Sequence, residues 1–532
     1  MNSATISVER AIILIAVLFT GLYNLTFFTN VSQVYPLSLP NAFFFISIAT
    51  VLTCVFILLL SLVCYRRTLK PVVIPLVLIT SVTAYFMDSY HVIIDDGMIQ
   101  NMVMTDTNEV LDLITVKLII YFLLLGVLPA LVVRRLSFQT RPLRSALVAR
   151  MKLVIPTLAV SAAMVFAFGS HYASFIREHK PLRYYTNPTT YIYASVKYVA
   201  GIMEQEQGPI KRIGEDARIA ATDGHRELII FVLGETARYD RFSLNGYARE
   251  TNPLLKLENV ISFKNFWSCG TSTASSVPCI FSIYGRADYT ESKAASVENI
   301  LDILQHTGVN VLWRENNSSS KGVALRVPYE SYKSAKINPV CDTECRDEGM
   351  LDGLQAYIDK HPTGDIFIVL HQMGNHGPAY YKRYPPSFEK FTPACKTNQL
   401  EDCSKQEIDN AYDNAILYTD YFLSKVIALL KSNDDGFETG LIYVSDHGES
   451  LGEGGLYLHG LPYALAPETQ RHIPAIMWFG ANNDVVNVSN LRNSIGKKYS
   501  HDNLFHTILG LLEVETSVYK AEMDIIRVPK LL

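Results

Sequence analysis

The sequence predicts an α-helical membrane domain of five spans followed by an exported α/β domain, and three observations predict it. Apolar runs of membrane-crossing length are confined to the first third of the chain. Lysine and arginine concentrate in alternate loops between those runs. Six of the eight cysteines follow the last run, where an exported segment lets thiols oxidise.

The runs occupy residues 11–28, 43–64, 72–86, 116–133 and 153–168, and they account for the mean hydropathy of +0.15. Crossing roughly 30 Å of hydrocarbon takes about 20 helical residues, so the 72–86 run draws on its flanks. The first run lacks a small-residue cleavage site, since Asn24-Leu-Thr-Phe-Phe follows it, and it reads as an anchor rather than a cleaved signal. Arg66, Arg67 and Lys70 follow the second run, and Arg134, Arg135, Arg141, Arg144, Arg150 and Lys152 separate the fourth from the fifth. Loops 30–41 and 88–112 carry no lysine or arginine. The basic loops belong inside, which puts the amino terminus in the cytoplasm and everything beyond the fifth span outside it. Cys54 and Cys64, in an apolar run, read as small buried residues. Among the other six, proximity favours Cys269 with Cys279, Cys341 with Cys345, and Cys395 with Cys403.

Residues 170–199 mix tyrosines with Arg177, Lys180, Arg183 and Lys197, a composition suited to a membrane surface. The expected division is therefore a membrane domain over 1–169, an interfacial helix and linker over 170–225, and a catalytic domain over 226–532. In the last, ELIIFVLGE, DIFIVLH and GLIYVSDH read as buried parallel strands, and VNVLWREN and IPAIMWFG as further strands. Helical patterns cover 297–306, 349–360 and 408–430. Functional groups in such sheets gather beyond the carboxyl ends of the strands, where Glu235, His371 and Asp446 fall. The glycines near Gly234 and Gly448 form neither a dinucleotide fingerprint nor a P-loop.

Glu235 is either a local hydrogen-bond acceptor or an oxygen ligand to zinc or another metal, and Arg238 and Asp240 read as a local ion pair. Adjacent Asp446 and His447 at a strand end can turn an oxygen and an imidazole toward one cation, the alternative being a hydrogen-bonded turn. His371 reads as a structural histidine. His376 and His459 could serve a second metal or a phosphate, or lie at the surface. Lys321 could stabilise phosphoryl oxygens or be an ordinary exposed charge, Asn317 could bind substrate or shape a turn, and Glu449 could cap or solubilise the segment that follows it.

GETAR, SCGTSTA followed by VPC, HQMGNHGP, SDHGESLGE and YLHG occur in an order that resembles the lipid phosphoethanolamine transferases, including those that modify lipid A and confer polymyxin resistance. The resemblance spans nearly the whole chain. It implies an alkaline-phosphatase/sulfatase-like catalytic domain in the periplasm, anchored in a Gram-negative inner membrane. It implies Thr273 as the nucleophile, and Glu235, Thr273, Asp446 and His447 as ligands of one primary zinc ion. Lys321, His376 and His459 would assist transfer, with a further ion at the two histidines left open. Glu298 and Asn317 resemble substrate-pocket residues, the alternative for Glu298 being a structural glutamate in a helix, and Asn101, Thr105 and Glu109 resemble the family's lipid-head-group region, although the ordinary reading of that loop is an external polar loop or interfacial helix. The implied reaction moves phosphoethanolamine from phosphatidylethanolamine to a lipid A phosphate through Thr273, releasing diacylglycerol. The expected partners are these lipids and the membrane, with no nucleic acid. A phosphoglycerol transferase, or a metal-dependent phosphatase or sulfatase at the membrane, is the alternative.

Overall fold

The computed structural model describes residues 5–36, 38–105, 107–169, 171–172, 175, 179–203, 209–219 and 224–527. Two compact units divide the chain: residues 1–99 with 114–197, and residues 100–113 with 198–532. Segment 100–113 thus interrupts the first unit and clusters with the second, a division that apolar periodicity does not mark.

In the first unit, helices Asn41–Val63, Leu69–Tyr90, Val116–Arg135 and Leu143–Ala167 are each long and apolar enough to cross a membrane. The expected first span is a bent pair, Val8–Leu22 and Leu25–Val34, at 55° to one another, so the described residues hold four spans or five if the pair is one. The break has a chemical cause at buried Asn24. Its amide donates to Phe19 O at 2.8 Å and Asn187 O at 2.6 Å, and its oxygen accepts from Asn187 N at 2.8 Å. The bond to Phe19 O satisfies a carbonyl at the end of the first helix, and the pair with Asn187 ties the break to a distant segment of the same unit. Arg150 in the expected inner loop donates to Ser61 O and Cys64 O at 3.0 and 2.7 Å, closing the end of a neighbouring helix. Of the expected interfacial segment, residues 170, 173–174 and 176–178 lie outside the described residues. Helix Thr189–Met203 presents exposed Ile192, Tyr193, Val196, Val199 and Met203 at helical spacing.

The second unit is built on a seven-stranded sheet. Its strands are β1 (Glu227–Gly234), β2 (Ile261–Ser262), β3 (Asn310–Glu315), β4 (Tyr329–Ser331), β5 (Ile366–His371), β6 (Glu438–Ser445) and β7 (Ala475–Phe479). Their order is β2-β7-β6-β1-β5-β3-β4, with β6, β1, β5, β3 and β4 parallel and β7 antiparallel to both its neighbours, β6 and β2. Both faces of the central strands are covered, which is why they read as continuous apolar runs. Ile229, Phe231 and Leu233 pack on one face, and Leu228, Ile230 and Val232 on the other. Each such side chain contributes about 1.5–3 kcal/mol on burial, enough to make this layer the rigid base of the site. Disulfides join Cys269 to Cys279, Cys341 to Cys345 and Cys395 to Cys403, the pairing that proximity favoured. Cys54 and Cys64 are free and buried.

Candidate active site

The site lies where β1 and β6 end. These strands pair in parallel up to Gly234 opposite Ser445, so the next residue of each, Glu235 and Asp446, emerges at the same edge. Asp446 N donates back to Gly234 O at 3.0 Å, and Asp446 Oδ1 accepts from Thr236 N at 3.1 Å and His447 N at 2.7 Å. The second oxygen, Asp446 Oδ2, is buried without a hydrogen-bond partner.

Thr273 joins this pair from the loop 268–272, at the first position of helix α1 (Thr273–Phe281). Ser268 Oγ donates to Gly270 O at 2.6 Å, and Gly270 N to Ser276 Oγ at 3.0 Å. Glycine is required at 270 because a Cβ would sit 2.6 Å from Ser275 Oγ. Buried His501 ties the loop to β6: Cys269 N donates to its Nδ1 at 2.9 Å, and its Nε2 donates to Ser445 O at 3.0 Å. The two partners require a neutral ring with its proton on Nε2, and burial holds that imidazole down to about 3.

Thr273 Oγ1 donates to Glu235 Oε2 at 3.0 Å and lies 3.4 Å from His447 Nε2. His447 Nε2 is 3.5 Å from Glu235 Oε1 and 3.4 Å from Asp446 Oδ2. Its Nδ1 faces Gly448 O at 2.8 Å, which places the proton there and turns the Nε2 lone pair into the cluster. Ligand atoms of Glu235, Asp446 and His447 all lie within 4.8 Å of one another. Burial lowers the His447 imidazole to about 3, with His459 adding to the effect. Burial pushes the Glu235 carboxyl up, but His447, His376 and His459 outweigh it and hold the group well below the usual carboxylate range. Burial, with the Glu235 charge beside it, drives Asp446 well above that range. Two packed carboxylates, an unprotonated imidazole, a hydroxyl and an orphaned carboxylate oxygen form a donor set that suits a divalent cation such as zinc.

Around this centre the remaining expected residues divide. The ring of His459 is 4.3 Å from that of His447 and 5.7 Å from that of His376, so both histidines converge on the cluster. His376 Nδ1 is buried without a hydrogen-bond partner. Lys321, only 8% exposed, donates to Met104 O at 3.1 Å. Segment 100–113, carrying Asn101, Thr105 and Glu109, belongs to this unit. Thr105 Oγ1 donates to Asn101 O at 2.5 Å, and the buried Glu109 carboxylate acts electrostatically on His459 and Arg383. Glu298 is not brought to the cluster: its carboxylate accepts from Ile213 N at 3.2 Å and faces Arg212 and His306, each at 3.6 Å. Asn317 does reach the centre, with its amide already engaged. Its Nδ2 donates to Glu235 Oε2 and to Gln372 O, both at 2.8 Å, and its Oδ1 accepts from Ser318 N at 2.5 Å. Arg238 pairs with Asp240 as expected and also with Glu453 at 2.7 Å.

Several supporting groups escaped the sequence reading. Glu449, read as a cap, is fully buried with its carboxylate 3.4 Å from His459 Nδ1. Burial lowers the His459 imidazole, and Glu449 outweighs it, so the net shift is upward. Glu315 accepts from Asn317 N at 2.7 Å and Trp313 Nε1 at 2.9 Å, and pairs with His371 at 3.0 Å, giving His371 its structural role. Asp347 takes Met373 N at 2.8 Å and Gly374 N at 3.1 Å, fixing the turn that leads to His376. Gly374 has a φ of +52°, and a Cβ there would meet Glu235 O at 2.9 Å. Asp112 anchors segment 100–113 through Lys382 at 2.5 Å and Arg383 at 2.8 Å. An acidic residue between strands or in a polar loop carries no signal of what it will face, so only the His-Glu spacing around Glu449 offered a hint.

Two family models match: one described as sulfatase over residues 227–514, and one described as phosphoethanolamine transferase EptA/EptB over residues 52–202. The chain is 43% identical over 526 residues to phosphatidylethanolamine transferase Mcr-1 of Escherichia coli, covering 96% of each. It is 41% identical over 515 residues to phosphoethanolamine transferase EptA of Salmonella typhimurium, covering 95% of this chain and 94% of that one. Among solved structures it is similar to the integral membrane protein lipooligosaccharide phosphoethanolamine transferase A (EptA) from Neisseria meningitidis, at 33% identity and a TM-score of 0.95, covering 98% of this chain and 99% of that one. The soluble domain of lipooligosaccharide phosphoethanolamine transferase A from the same organism matches at 41% identity and a TM-score of 0.58, covering 60% of this chain. The helical membrane region and the sulfatase-like domain around Thr273 are therefore parts of one inherited architecture, and the chain belongs to the phosphoethanolamine transferase family.

Proposed function

We propose that this chain transfers phosphoethanolamine from phosphatidylethanolamine to a lipid A phosphate through an intermediate on Thr273, releasing diacylglycerol and conferring polymyxin resistance. The observation that carries the reading is the approach of Thr273 Oγ1 to Glu235 Oε2 at 3.0 Å, beside Asp446 and His447. The relatives' names supply the chemical class of the donor and the group moved, and more distant relatives named Kdo(2)-lipid A phosphoethanolamine 7''-transferase, at 26–27% identity, support a lipid A acceptor. Disulfides in the catalytic unit and basic inner loops support a periplasmic catalytic domain on a Gram-negative inner membrane, with a cytoplasmic amino terminus. The exposed apolar stripe of helix Thr189–Met203 suits an interfacial position.

Zinc held by Glu235, Thr273, Asp446 and His447 would supply the positive charge that makes a threonine hydroxyl ionise near neutral pH and that steadies phosphoryl oxygens. The Thr273 hydroxyl, oriented by its hydrogen bond to Glu235 Oε2, releases its proton to solvent and attacks phosphorus. The phosphorus–oxygen bond to diacylglycerol breaks, and its oxygen takes a proton from His459, whose imidazole the neighbouring Glu449 shifts upward. A lipid A phosphate oxygen then attacks the phosphorus of the Thr273 ester, its proton restoring His459, and the bond to Thr273 Oγ1 breaks as that oxygen takes a proton from solvent. Lys321 steadies the phosphoryl group in both steps, and Asn101, Thr105 and Glu109 face the lipid head group. A further ion between His376 and His459 is the second reading, favoured by the buried, unpartnered His376 Nδ1.

Amine-labelled phosphatidylethanolamine incubated with lipid A and the full chain tests the reading. Label on lipid A is expected. Labelled ethanolamine phosphate in the water phase, with none on lipid A, would make the chain a hydrolase.

A further inference from the structure

Two guanidinium groups close on one aromatic ring beside the nucleophile loop. Arg286 Cζ lies 4.1 Å, and Arg471 Cζ 5.2 Å, from the centre of the Tyr463 ring. Tyr463 donates its hydroxyl to Ser268 O at 3.0 Å, and Ser268 N donates to Arg471 O at 2.9 Å. This platform is thereby fixed to the residue preceding Cys269. The chain that carries it is tied to the same loop closer to Thr273, through Gly460 N to Thr271 O at 2.8 Å and Thr271 Oγ1 to Leu461 O at 2.6 Å. Lys498 adds a third cation over Trp267, at 5.6 Å from its ring.

Among the described residues, no carboxylate pairs with the Arg286 or Arg471 head group. Arg238, Arg241, Arg249 and Arg383 all pair with carboxylates. Neither guanidinium on Tyr463 makes an ion pair or hydrogen bond among the described residues, and Arg471 Nε is buried without a partner. Asp502 is the nearby acid, and it takes the Arg286 main-chain N–H at 2.9 Å without pairing with either head group. The ring offsets some of the repulsion between two cations, but a multiply charged oxyanion satisfies both planar forks at once.

We propose that Arg286, Tyr463 and Arg471 form a subsite for a second phosphate of the acceptor lipid, the one not being modified. The donor cannot explain it, because phosphatidylethanolamine carries a single phosphate, which must sit at Thr273, and its ammonium group is repelled by paired arginines. A glycolipid acceptor with two phosphates has one to react and one to be held. The subsite rests on the lipid A reading above and sets acceptor affinity and specificity.

The test measures transfer from labelled phosphatidylethanolamine by the full-length protein in detergent, with diphosphorylated lipid A or with monophosphoryl lipid A that keeps the accepting phosphate. For Arg286→Ala with Arg471→Ala, the KM for diphosphorylated lipid A is expected to rise at least tenfold, with a much smaller change in kcat. For monophosphoryl lipid A, wild type and variant are expected to share one elevated KM. Lysines at both positions, which restore charge without the planar fork, are expected to recover part of the affinity. An unchanged KM for the diphosphorylated acceptor overturns the subsite, and so does a loss of kcat that is equal for both acceptors, which would make the arginines supports of the loop. No transfer to either acceptor by wild type would instead overturn the lipid A reading.

Discussion

Replacing Asn317 with alanine should loosen the metal rather than the substrate. The amide donates to Glu235 Oε2 and to Gln372 O, both at 2.8 Å, inside a site where Asn317 is 1% exposed. Glu235 Oε2 is also the atom that accepts from Thr273, so losing the amide frees the carboxylate to rotate away from both the hydroxyl and a bound ion. A hydrogen bond to a buried carboxylate is worth about 1.5–3 kcal/mol. Loss of such a group behind a metal ligand lowers affinity by about 10–100-fold, and the two ranges agree since about 1.4 kcal/mol is tenfold. The assay is competition of the purified full-length protein with a fluorescent zinc chelator, paired with transfer rates across buffered free zinc. The expected result is weaker zinc binding, with activity restored toward wild type at saturating zinc and an unchanged KM for phosphatidylethanolamine. Unchanged zinc affinity together with a raised donor KM would refute this reasoning and return Asn317 to the substrate role that the sequence suggested.

His501→Phe removes both bonds that join Cys269 N to Ser445 O, leaving a buried donor and acceptor unmet at about 1–3 kcal/mol each, so urea unfolding should show a loss of about 2–6 kcal/mol. A loss below about 0.5 kcal/mol would mean that the imidazole bears no load between loop and strand. Glu449→Gln removes the charge that raises the His459 imidazole, so the alkaline limb of the pH–rate profile should move to lower pH; an unmoved limb would detach His459 from proton transfer. Asp420 is buried, which raises its carboxyl to about 7 despite accepting from Leu254 N and Leu255 N at 2.9 Å. A carboxyl raised on folding stabilises the protein fully below about 4, and that contribution, up to about 4 kcal/mol, is lost as pH rises through about 7. Asp420→Asn should flatten the dependence of the melting temperature on pH between about 4 and 7, whereas an unaltered slope would assign it to other groups.

Much of the candidate site was legible because its acids sit where the strand signal ends. Apolar runs locate β1 and β6, and the first polar residues beyond them, Glu235 and Asp446, are delivered to the sheet edge by register alone. Thr273 was not legible in that way: five hydroxyls stand between Cys269 and Cys279, and only the order of motifs singled it out before the 3.0 Å contact with Glu235 did. The membrane helices were readable from composition, but the 55° bend was not, because it depends on Asn24 meeting Asn187 far along the chain. The acids Glu315, Asp347 and Asp112 were invisible for the same reason, since their partners lie on other elements. Asn317 and Glu298 show the complementary limit. Both stand near expected pocket motifs, yet one is engaged with Glu235 and the other with Arg212, Ile213 and His306.

The central claim is that Thr273 carries the transferred group. Wild-type protein incubated with phosphatidylethanolamine and no acceptor, then digested and mapped by mass spectrometry, should show phosphoethanolamine on the peptide containing Thr273. That adduct should disappear on adding lipid A. A Thr273→Ala protein that still transfers at the wild-type rate, or an adduct found on another residue, would contradict the account.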